Sequence, residues 1–553
     1  MTETKAQRVE RLKLEKNPWD ALEEIRAFAR NGRDSVLPEW TSLYFRWWGI
    51  YTQGDGAGAL GGKGGEGKAT EYFMLRTAVP NGRINSVQLR ALASLSKRWG
   101  RNLADITTRQ SIQLHWIPVE GLPDAIDTLA SVGLSSRGAC GDVVRNVTGC
   151  PLAGVQQNEI FDASPVALAA YRMLSGNRDF YNLPRKFKIS ITGCPVWCTY
   201  PEINDIALTP VRRGSETGFS LRVGGGLSSE PHLAVRLNAF VPVDRALEVL
   251  HATTEIFRDQ QCLREHRERA RLKYLFLREG WTAERFLDEV HARLSFRLDP
   301  APDEEIPSGA VRDHIGVHRQ KQEDLYYLGA AVLRGRVTGD QLEAAADLAD
   351  RFGNGELRTT TMQNLLFLNI PKQNIDPLIK ALHDIQLRVE GSPFWRGAIT
   401  CTGTEFCKLA ITETKEFARW LVDELDVRLP AFDQQLKLHV TGCPNSCGQH
   451  WIADIGMDGK KVKQNGVLVD AYSFVVGGGV GEQAAIARPL SYRCSADEVP
   501  EALERLLGTY MQQRAPNEGL QSFFRRHSNE DLRAVLAGEI VGAEERVPVG
   551  VGD

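Results

Sequence analysis

Two kinds of hydrophobic pattern alternate along the chain. Apolar residues recur at the spacing of a helix face in the stretches 85–100, 246–259 and 338–353, which begin NSVQL, ALEVL and TGDQL. Short apolar runs, SIQLHWI at 111–117 and NLLFLNI at 364–370, are instead typical of strands. The mixture predicts an α/β protein.

The same patterns occur twice, in the same order. Four pairs of segments match: GRI at 82–84 with GRV at 335–337, TTRQ at 107–110 with TTMQ at 360–363, TGCP at 192–195 with TGCP at 441–444, and VGGG at 223–226 with VGGG at 476–479. The offset is 253 residues for three pairs (335 − 82, 360 − 107 and 476 − 223) and 249 for the other (441 − 192). The near-constant offset predicts an internal duplication.

The duplication divides the chain into paired regions, each a compact strand–helix–strand–helix half followed by a longer α/β stretch with cysteines and a Gly-rich turn. The predicted domains are 1–69, an N-terminal extension with a Gly-rich loop; 70–135, the first compact half; 136–300, the first α/β domain; 301–388, a linker and the second compact half; 389–546, the second α/β domain; and 547–553, a tail. In the Gly-rich loop, Ala69 stands where an ATP-binding loop needs Ser or Thr, so ATP binding is not expected.

Composition and charge exclude several classes of protein. The 553 residues are 42% hydrophobic and 25% charged, which is ordinary for globular domains. The 67 basic and 70 acidic residues give a net charge of −3, which argues against a general nucleic-acid binder but leaves room for a local basic pocket. No apolar run is long enough to span a membrane, and the charged N-terminus does not resemble a secretory signal. We therefore expect a cytoplasmic protein.

Four of the ten cysteines carry the strongest chemical signal. Cys401 and Cys407 lie in CTGTEFC, and Cys443 and Cys447 lie in TGCPNSCG. Two close pairs on neighbouring loops can bring four thiolates together, as an iron–sulfur cluster requires. Structural zinc favours tighter spacings and smaller modules. The pattern favours a cluster and leaves zinc, or buried unligated thiols, as alternatives.

A second set of cysteines lies in the first copy: Cys140, Cys150, Cys194 and Cys198. The turn CPVWC repeats the spacing of the second pair, but the other pair is much farther apart and apolar bulk fills the turn. A remnant or packing role is favoured over a second cluster. Cys262 and Cys494 have no cysteine near them in the sequence and are interpreted as structural.

The paired CTGTEFC and TGCPNSCG segments, in a duplicated chain of this length, resemble the ferredoxin-dependent nitrite and sulfite reductases over about residues 40–545. The resemblance implies two ferredoxin-like halves and two sirohaem/4Fe-4S-type α/β halves related by pseudo-two-fold symmetry. It also implies two cofactors, a [4Fe-4S] cluster and sirohaem. Cys401, Cys407, Cys443 and Cys447 would be the cluster ligands, and Cys447 would also bridge to the sirohaem iron.

The first copy carries cations at positions that match the family's pocket. By this resemblance Arg76, Arg145, Lys186 and Lys188 surround the open face of the iron, and Arg109 binds a sirohaem carboxylate with Gln110 and Gln113 as polar support. Residues i and i+2 of a strand share a face, so the two lysines can enter one pocket while Phe187 points away. The second copy has Met362 in place of Arg109. This predicts a division of labour, with the anion pocket in copy one and the cluster in copy two.

The same pattern suggests the reaction and the partners. The two arginines would bind an oxyanion and the two lysines would supply protons. Lys188 favours sulfite over nitrite, because sulfite carries the larger charge, although nitrite stays open. The chain has no recognisable flavin or NADPH domain, so electrons are expected from ferredoxin. Lys460, Lys461 and Lys463 are candidates for a basic surface on which ferredoxin docks. The alternative interpretation of this segment is a solvated hairpin turn at 458–459. We expect a monomer.

One further pair of residues matches segments near the family's pocket. Tyr51, in FRWWGIYTQ, and Cys140, in GACGDVV, could form a thioether beside a redox iron. The alternative is ordinary packing and hydrogen bonding of both side chains.

Overall fold

The computed structural model describes residues 3–53, 71–308 and 313–539. Most of the Gly-rich loop, with its lookalike ATP-binding motif at 62–70, lies outside the described residues, as does the tail at 547–553. Within the described ranges, no helix is both long enough and apolar enough to cross a membrane.

The first compact half is a sheet backed by two helices and preceded by short N-terminal helices. Its elements are α1 (Lys5–Glu15), α2 (Leu22–Asn31), α3 (Pro38–Ser42), β1 (Ile50–Gln53), β2 (Tyr72–Thr77), β3 (Arg83–Asn85), α4 (Ser86–Trp99), β4 (Leu103–Ile106), β5 (Ile112–Ile117) and α5 (Leu122–Ser131). Helix α4 begins where the predicted periodic stretch begins, because Asn85 and Gln88 form a capping box there.

The first α/β domain follows. Its elements are β6 (Thr148–Gly149), α6 (Ser164–Leu174), β7 (Ile189–Ile191), β8 (Ile206–Arg213), β9 (Glu216–Val223), β10 (Val235–Pro242), α7 (Ala246–Asp259), α8 (Tyr274–Leu277) and α9 (Ala283–His291). The sheet has the order β10-β9-β8-β7-β6, and β6, β7 and β8 run parallel.

The second copy repeats both parts. Its compact half contains β11 (Gly316–Arg319), β12 (Leu325–Ala330), β13 (Arg336–Thr338), α10 (Gly339–Phe352), β14 (Glu356–Thr359), β15 (Leu365–Pro371) and α11 (Ile375–Asp384). Its α/β domain contains α12 (Pro393–Gly397), β16 (Ala398–Thr400), α13 (Lys415–Arg428), β17 (Leu438–Thr441), β18 (Ile455–Gln464), β19 (Val467–Val476), β20 (Arg488–Ser495), α14 (Val499–Gln513), α15 (Leu520–Arg526) and α16 (Asn529–Ala537). The sheet order is β16-β17-β18-β19-β20, and β16, β17 and β18 run parallel.

The two compact halves exchange a strand. The first sheet has the order β1-β2-β5-β4-β13 and the second has the order β11-β12-β15-β14-β3. Each sheet therefore takes its last strand from the other copy, and helices α4 and α10 pack beside each other within one shared apolar core. The predicted fold class and the pseudo-two-fold duplication are confirmed.

Two glutamines join the copies at equivalent places. In copy one, Nε2 of Gln110 donates to the carbonyls of Gly149 and Thr359, each at 3.0 Å, and the Gly149 amide donates back to its Oε1 at 3.0 Å. Gly149 belongs to the same copy, whereas Thr359 belongs to the other.

Gln363 repeats the arrangement from copy two. Its Nε2 donates to the carbonyls of Thr400 at 3.1 Å and Ile106 at 3.0 Å, and the Thr400 amide donates to its Oε1 at 3.0 Å. Both glutamines are buried, and an unmade hydrogen bond at such a place costs about 1–3 kcal/mol. The side chains tie each compact half to its own α/β domain and to the opposite copy.

We expect Gln110→Ala and Gln363→Ala to destabilise the protein by similar amounts, about 3 kcal/mol each, because each leaves buried backbone groups unpaired. Urea unfolding of the two variants checks this. A Gln110→Ala enzyme that keeps wild-type stability but loses sirohaem would instead favour the cofactor contact predicted for Gln110.

Candidate active site

The four predicted cluster ligands lie at one edge of the second α/β sheet. Strands β16 and β17 are parallel neighbours, with Thr400 opposite Val440. Cys401 follows the first strand directly and Cys443 follows the second after one glycine. Because carboxyl ends of parallel strands meet at the same edge, the sheet brings the two cysteine loops together.

Backbone and side-chain donors point at the sulfurs of this edge. The amide of Gly442 donates to Sγ of Cys401 at 3.2 Å, and Nδ2 of Asn445 lies 3.5 Å from Sγ of Cys443. Such donors stabilise negative charge on cluster sulfurs. Cys447 is exposed, whereas Cys443 is buried.

Burial, reinforced by the charge of Cys447, raises the pKa of Cys407 and of Cys443 to about 12. These thiols therefore need a bound metal to be held as thiolates. Among the described residues, no three His, Cys, Asp or Glu side chains are grouped to hold one metal ion.

Strands β1, β2 and β5 place the first part of the basic pocket. Arg76 on strand β2 pairs with Gln113 on strand β5, and Met74, two residues before Arg76 on β2, pairs with Tyr51 on β1. All four side chains therefore share one face of the sheet. Gln113 donates to the Met74 sulfur at 3.3 Å. Burial opposes the charge of Arg76, but nearby Cys140 and other groups raise its pKa above the ordinary value.

The segment before strand β7 places the second part. Lys186 and Lys188 are mostly buried but keep some exposed surface, whereas Phe187 between them is fully buried and stacks on Phe257 with ring centroids 5.2 Å apart. The alternation predicted from the sequence is therefore present. The amide of Arg145 donates to the carbonyl of Phe187 at 2.8 Å, which brings its segment alongside the lysines.

The guanidinium of Arg145 is held by its own loop. Its Nε and Nη2 donate to the carbonyl of Gly141 at 3.0 and 2.8 Å, and its Nη1 donates to the carbonyl of Ala139 at 3.3 Å. The same loop carries Cys140, whose sulfur accepts from Nη1 of Arg76 at 3.1 Å. The loop therefore positions both arginines of the pocket.

Burial and neighbouring cations lower the pKa of both lysines. At Lys186, burial is the largest cause and Arg271 adds to it, so the pKa is about 7. At Lys188, burial and then the charge of Lys186 hold the pKa well below the usual range of lysine. An ammonium with a pKa near neutrality gives up its proton readily. Lys186 is therefore chemically suited to protonate a bound oxyanion.

Arg109 lies where several elements meet. Its terminal nitrogens donate to Oδ1 of Asn204 at 2.7 Å and to the carbonyls of Asn146 and Ile189 at 2.7 and 3.1 Å. Burial lowers its pKa to about 9. The guanidinium is thus largely engaged within the protein, as is the amide of Gln110, and contact of either with sirohaem stays a prediction.

Buried donors remain available around this pocket. Nε of Arg76, Nε of Arg109 and Nδ2 of Asn81 have no hydrogen-bond partner among the described residues. A carboxylate-rich ligand would supply the missing acceptors. The residues present therefore fit sirohaem, a haem rich in carboxylates.

Cys447 connects the cluster side with the pocket side. Oγ1 of Thr108, in the first compact half, donates to the Cys447 carbonyl at 3.3 Å. The Cys447 charge influences Arg76 and Lys186 of the pocket as well as Cys407 of the cluster set. The structure therefore brings the two predicted sites together around this one cysteine.

Tyr51 and Cys140 are close enough to influence each other's charge. Burial, and next the charge of Cys140, raise the pKa of Tyr51 above its usual value. Because Arg76 donates to the same sulfur, hydrogen bonding already accounts for part of the arrangement. The thioether stays a prediction.

The cysteines of copy one separate into two groups. Cys150, Cys194 and Cys198 share one apolar cluster, and the sulfurs of the first and last lie 4.0 Å apart. Cys140 belongs to the pocket loop instead. Gln156 stands where copy two has Cys407, since 156 − 150 equals 407 − 401. The packing interpretation fits this buried apolar setting.

Copy two has a cavity of about 130 Å³ that is lined in part by residues equivalent to pocket residues of copy one. In the duplication, Met362 is equivalent to Arg109 and Gln435 is equivalent to Lys186. Its Arg396 is neutralised by Asp313, with contacts of 2.6 and 2.9 Å. The contrast supports the predicted division of labour between the copies.

The basic segment proposed for ferredoxin docking lies on strand β18 and not in a turn. The hairpin turn is at 465–466, beyond the strand, so the predicted turn at 458–459 was wrong. Lys460 and Lys461 are paired with Asp458 and Asp470. These pairings reduce the net positive charge of the segment, and its docking role stays a prediction.

Two family models match the chain. The nitrite and sulphite reductase 4Fe-4S domain matches residues 140–298 and 392–542, and the nitrite/sulfite reductase ferredoxin-like half domain matches residues 66–132 and 318–385. The chain belongs to the nitrite and sulfite reductase family. It is accordingly an oxidoreductase of the sirohaem and [4Fe-4S] type, as the resemblance predicted.

Relatives named for either substrate are similar to the same degree. The assimilatory ferredoxin-dependent nitrite reductase of Haloferax mediterranei is 36% identical over 530 residues, 90% of this chain and 87% of that protein. The sulfite reductase (ferredoxin) of Mycobacterium tuberculosis is 37% identical over 538 residues, 95% of each chain. The solved structure of the Mycobacterium tuberculosis NirA protein matches with a TM-score of 0.90 at 36% identity, over 95% of this chain and 97% of that one. Similarity does not choose between the substrates.

Proposed function

We propose that the enzyme reduces sulfite to sulfide with six electrons from reduced ferredoxin. The observation that carries the choice of substrate is Lys188, a second lysine beside Lys186 in the basic pocket. Sulfite passes from monoanion to dianion around neutral pH, whereas nitrite stays a monoanion. A bound anion raises the pKa of a neighbouring lysine, so the positive charge of Lys188 is favoured when sulfite binds.

The side chains divide the work of the reaction. Arg76 and Arg145 bind the oxygens of the substrate, because a guanidinium keeps its proton and offers several donors. Lys186 and Lys188 supply protons as each oxygen leaves as water. Sirohaem and the cluster, when bound, supply the iron that binds the substrate and the path for electrons.

Nitrite reduction to ammonia is the second candidate. It is supported by the relative named as a nitrite reductase, at 36% identity over 90% of this chain. The same cations would bind nitrite, and its oxygens would also leave as water. Turnover of both substrates with reduced ferredoxin, compared as kcat/KM, separates the candidates. A sulfite value far below the nitrite value would overturn the preferred substrate.

We expect Lys188→Asn to lower kcat/KM for sulfite roughly tenfold more than for nitrite, because one charged contact worth about 1.4 kcal/mol is lost preferentially with the dianion. The measurement is kcat/KM for both substrates in the wild type and the variant. Lys380→Asn, at an exposed position of helix α11, is the control and should change neither value. Equal losses for both substrates would count against the charge argument.

A further inference from the structure

One buried carboxylate occurs at equivalent places in the two copies. In copy one, Oδ2 of Asp205 accepts the amide of Lys188 at 2.8 Å. In copy two, Oδ2 of Asp454 accepts the amide of Lys437 at 2.7 Å. The offset is 249 residues for both members (454 − 205 and 437 − 188). The duplication has therefore kept both the carboxylate and the lysine.

The side-chain partner of the carboxylate differs between the copies. In copy two, Nζ of Lys437 lies 3.1 Å from Oδ1 of Asp454, so the lysine is paired. In copy one, Arg271 binds the Asp205 carboxylate through two nitrogens. Its Nε donates to Oδ1 at 3.0 Å and its Nη2 donates to Oδ2 at 2.8 Å. Within the described ranges, no acceptor pairs with Nζ of Lys188.

Arg271, which binds the carboxylate in copy one, has an equivalent in copy two, Gln521. Arg271 packs against Gly226, where a Cβ would lie 3.0 Å from its Nη2. Gln521 packs in the same way against Gly479, the equivalent last glycine of the repeated VGGG segment. Its Nε2 donates to the neighbouring carbonyl of Gly478 at 2.6 Å. Because Gln521 is neutral, Asp454 pairs with Lys437 in copy two. In copy one, Arg271 binds Asp205, so this carboxylate does not pair with Lys188.

We propose that Arg271 is a positioning residue of the active site: by binding Asp205 with both nitrogens, it keeps the ammonium of Lys188 unpaired and available to the substrate. The inference rests on the proposed role of Lys188 in proton delivery. A lysine locked in a buried ion pair would hold its proton, as paired ammonium groups do.

The charges around Lys188 agree with this role. Those that act on it are Lys186 on the same segment, Arg271 and Arg109 on neighbouring elements, and Asp205. Burial is the largest cause and the three cations reinforce it, so the pKa of Lys188 stays well below its usual range despite Asp205. Neutralising Arg271 would remove one opposing cation and free the carboxylate at the same time.

The decisive variant gives copy one the residue of copy two. In Arg271→Gln holoenzyme, we expect Asp205 to pair with Lys188. Competitive acetylation across pH, read by peptide mass spectrometry, reports when each lysine loses its proton. The midpoint for Lys188 should rise by about one pH unit or more, as expected for a newly formed opposite-charge contact.

The double variant Asp205→Asn with Arg271→Gln is the internal rescue. It removes the carboxylate as well, so Lys188 is again unpaired and its midpoint should return toward that of the wild type. Arg396→Gln is the matched control, since it breaks a bidentate Arg–Asp pair of copy two without touching Lys188, and should leave the midpoint unchanged.

A reciprocal variant covers the case in which Arg271→Gln does not fold. Gln521→Arg should capture Asp454 and lower the acetylation midpoint of Lys437 in copy two. An unchanged Lys188 midpoint in folded Arg271→Gln enzyme, or an unchanged Lys437 midpoint in Gln521→Arg enzyme, overturns the inference. Full turnover by Lys188→Met would instead refute the proposed role of that lysine, whatever the midpoints show.

Discussion

Cys443→Ser enzyme is expected to lose the [4Fe-4S] cluster and to turn over more than about 100-fold slower than the wild type. Loss of an outer-shell partner alone costs 10–100-fold, and a ligand is worth more. Cys443 leaves strand β17 beside Cys401 and is the buried member of the pair in its own loop. Iron and acid-labile sulfide analysis, together with turnover, measures both effects.

Copy one offers a matched control for this variant. Cys194 occupies the position of Cys443 in the repeated TGCP segment and is also buried. Because it lies in an apolar cluster with Cys150 and Cys198, Cys194→Ser should keep its iron. Equal iron loss in the two variants, or full iron in Cys443→Ser, would contradict the assignment.

Lys186→Met enzyme is expected to turn over about 10²–10⁴-fold slower, the usual contribution of general acid catalysis, while its cofactors stay bound. Its pKa of about 7, set by burial and nearby cations, suits proton transfer near neutrality. Turnover at saturating sulfite and ferredoxin, normalised to sirohaem absorbance, gives the effect. Gln435→Met, the equivalent residue of copy two, should retain turnover.

The pH dependence follows from the same pKa. The ammonium is the donor, and its lowered pKa means that the donor form predominates below about pH 7 and is lost as pH rises through that value. Wild-type kcat should therefore decline on the basic side. Lys186→Met should lack this part of the profile, and a profile identical to that of the wild type would argue against Lys186 as the donor.

Local patterns predicted much of the fold. Helix α7 has the bounds of the periodic stretch 246–259, and the runs at 111–117 and 364–370 form strands β5 and β15. Capping boxes at Asn85 and Thr338 fix the starts of α4 and α10. The exchange of β3 and β13 between the sheets was not predictable, because pairing of strands so distant in sequence leaves no local signal.

The candidate site divides in a similar way. The cysteine spacings predicted the cluster ligands, and the Lys-Phe-Lys alternation predicted that the two lysines share one side of their segment. Sequence reasoning missed Arg271 and Asp205; the only signal for the arginine was a run of basic residues at 264–273, which most often marks a solvated surface.

The sequence by itself determined the duplication, the elements with strong periodicity and the identity of the reactive groups, because each depends on residues close together in the chain. Only the tertiary structure decided which partner each group has. Lys188 and Lys437 occupy the same place in the repeat, yet Arg271 takes the carboxylate from the first and Gln521 leaves it to the second. Ion pairing depends on distances across the fold, and a single distant residue changes which lysine stays unpaired.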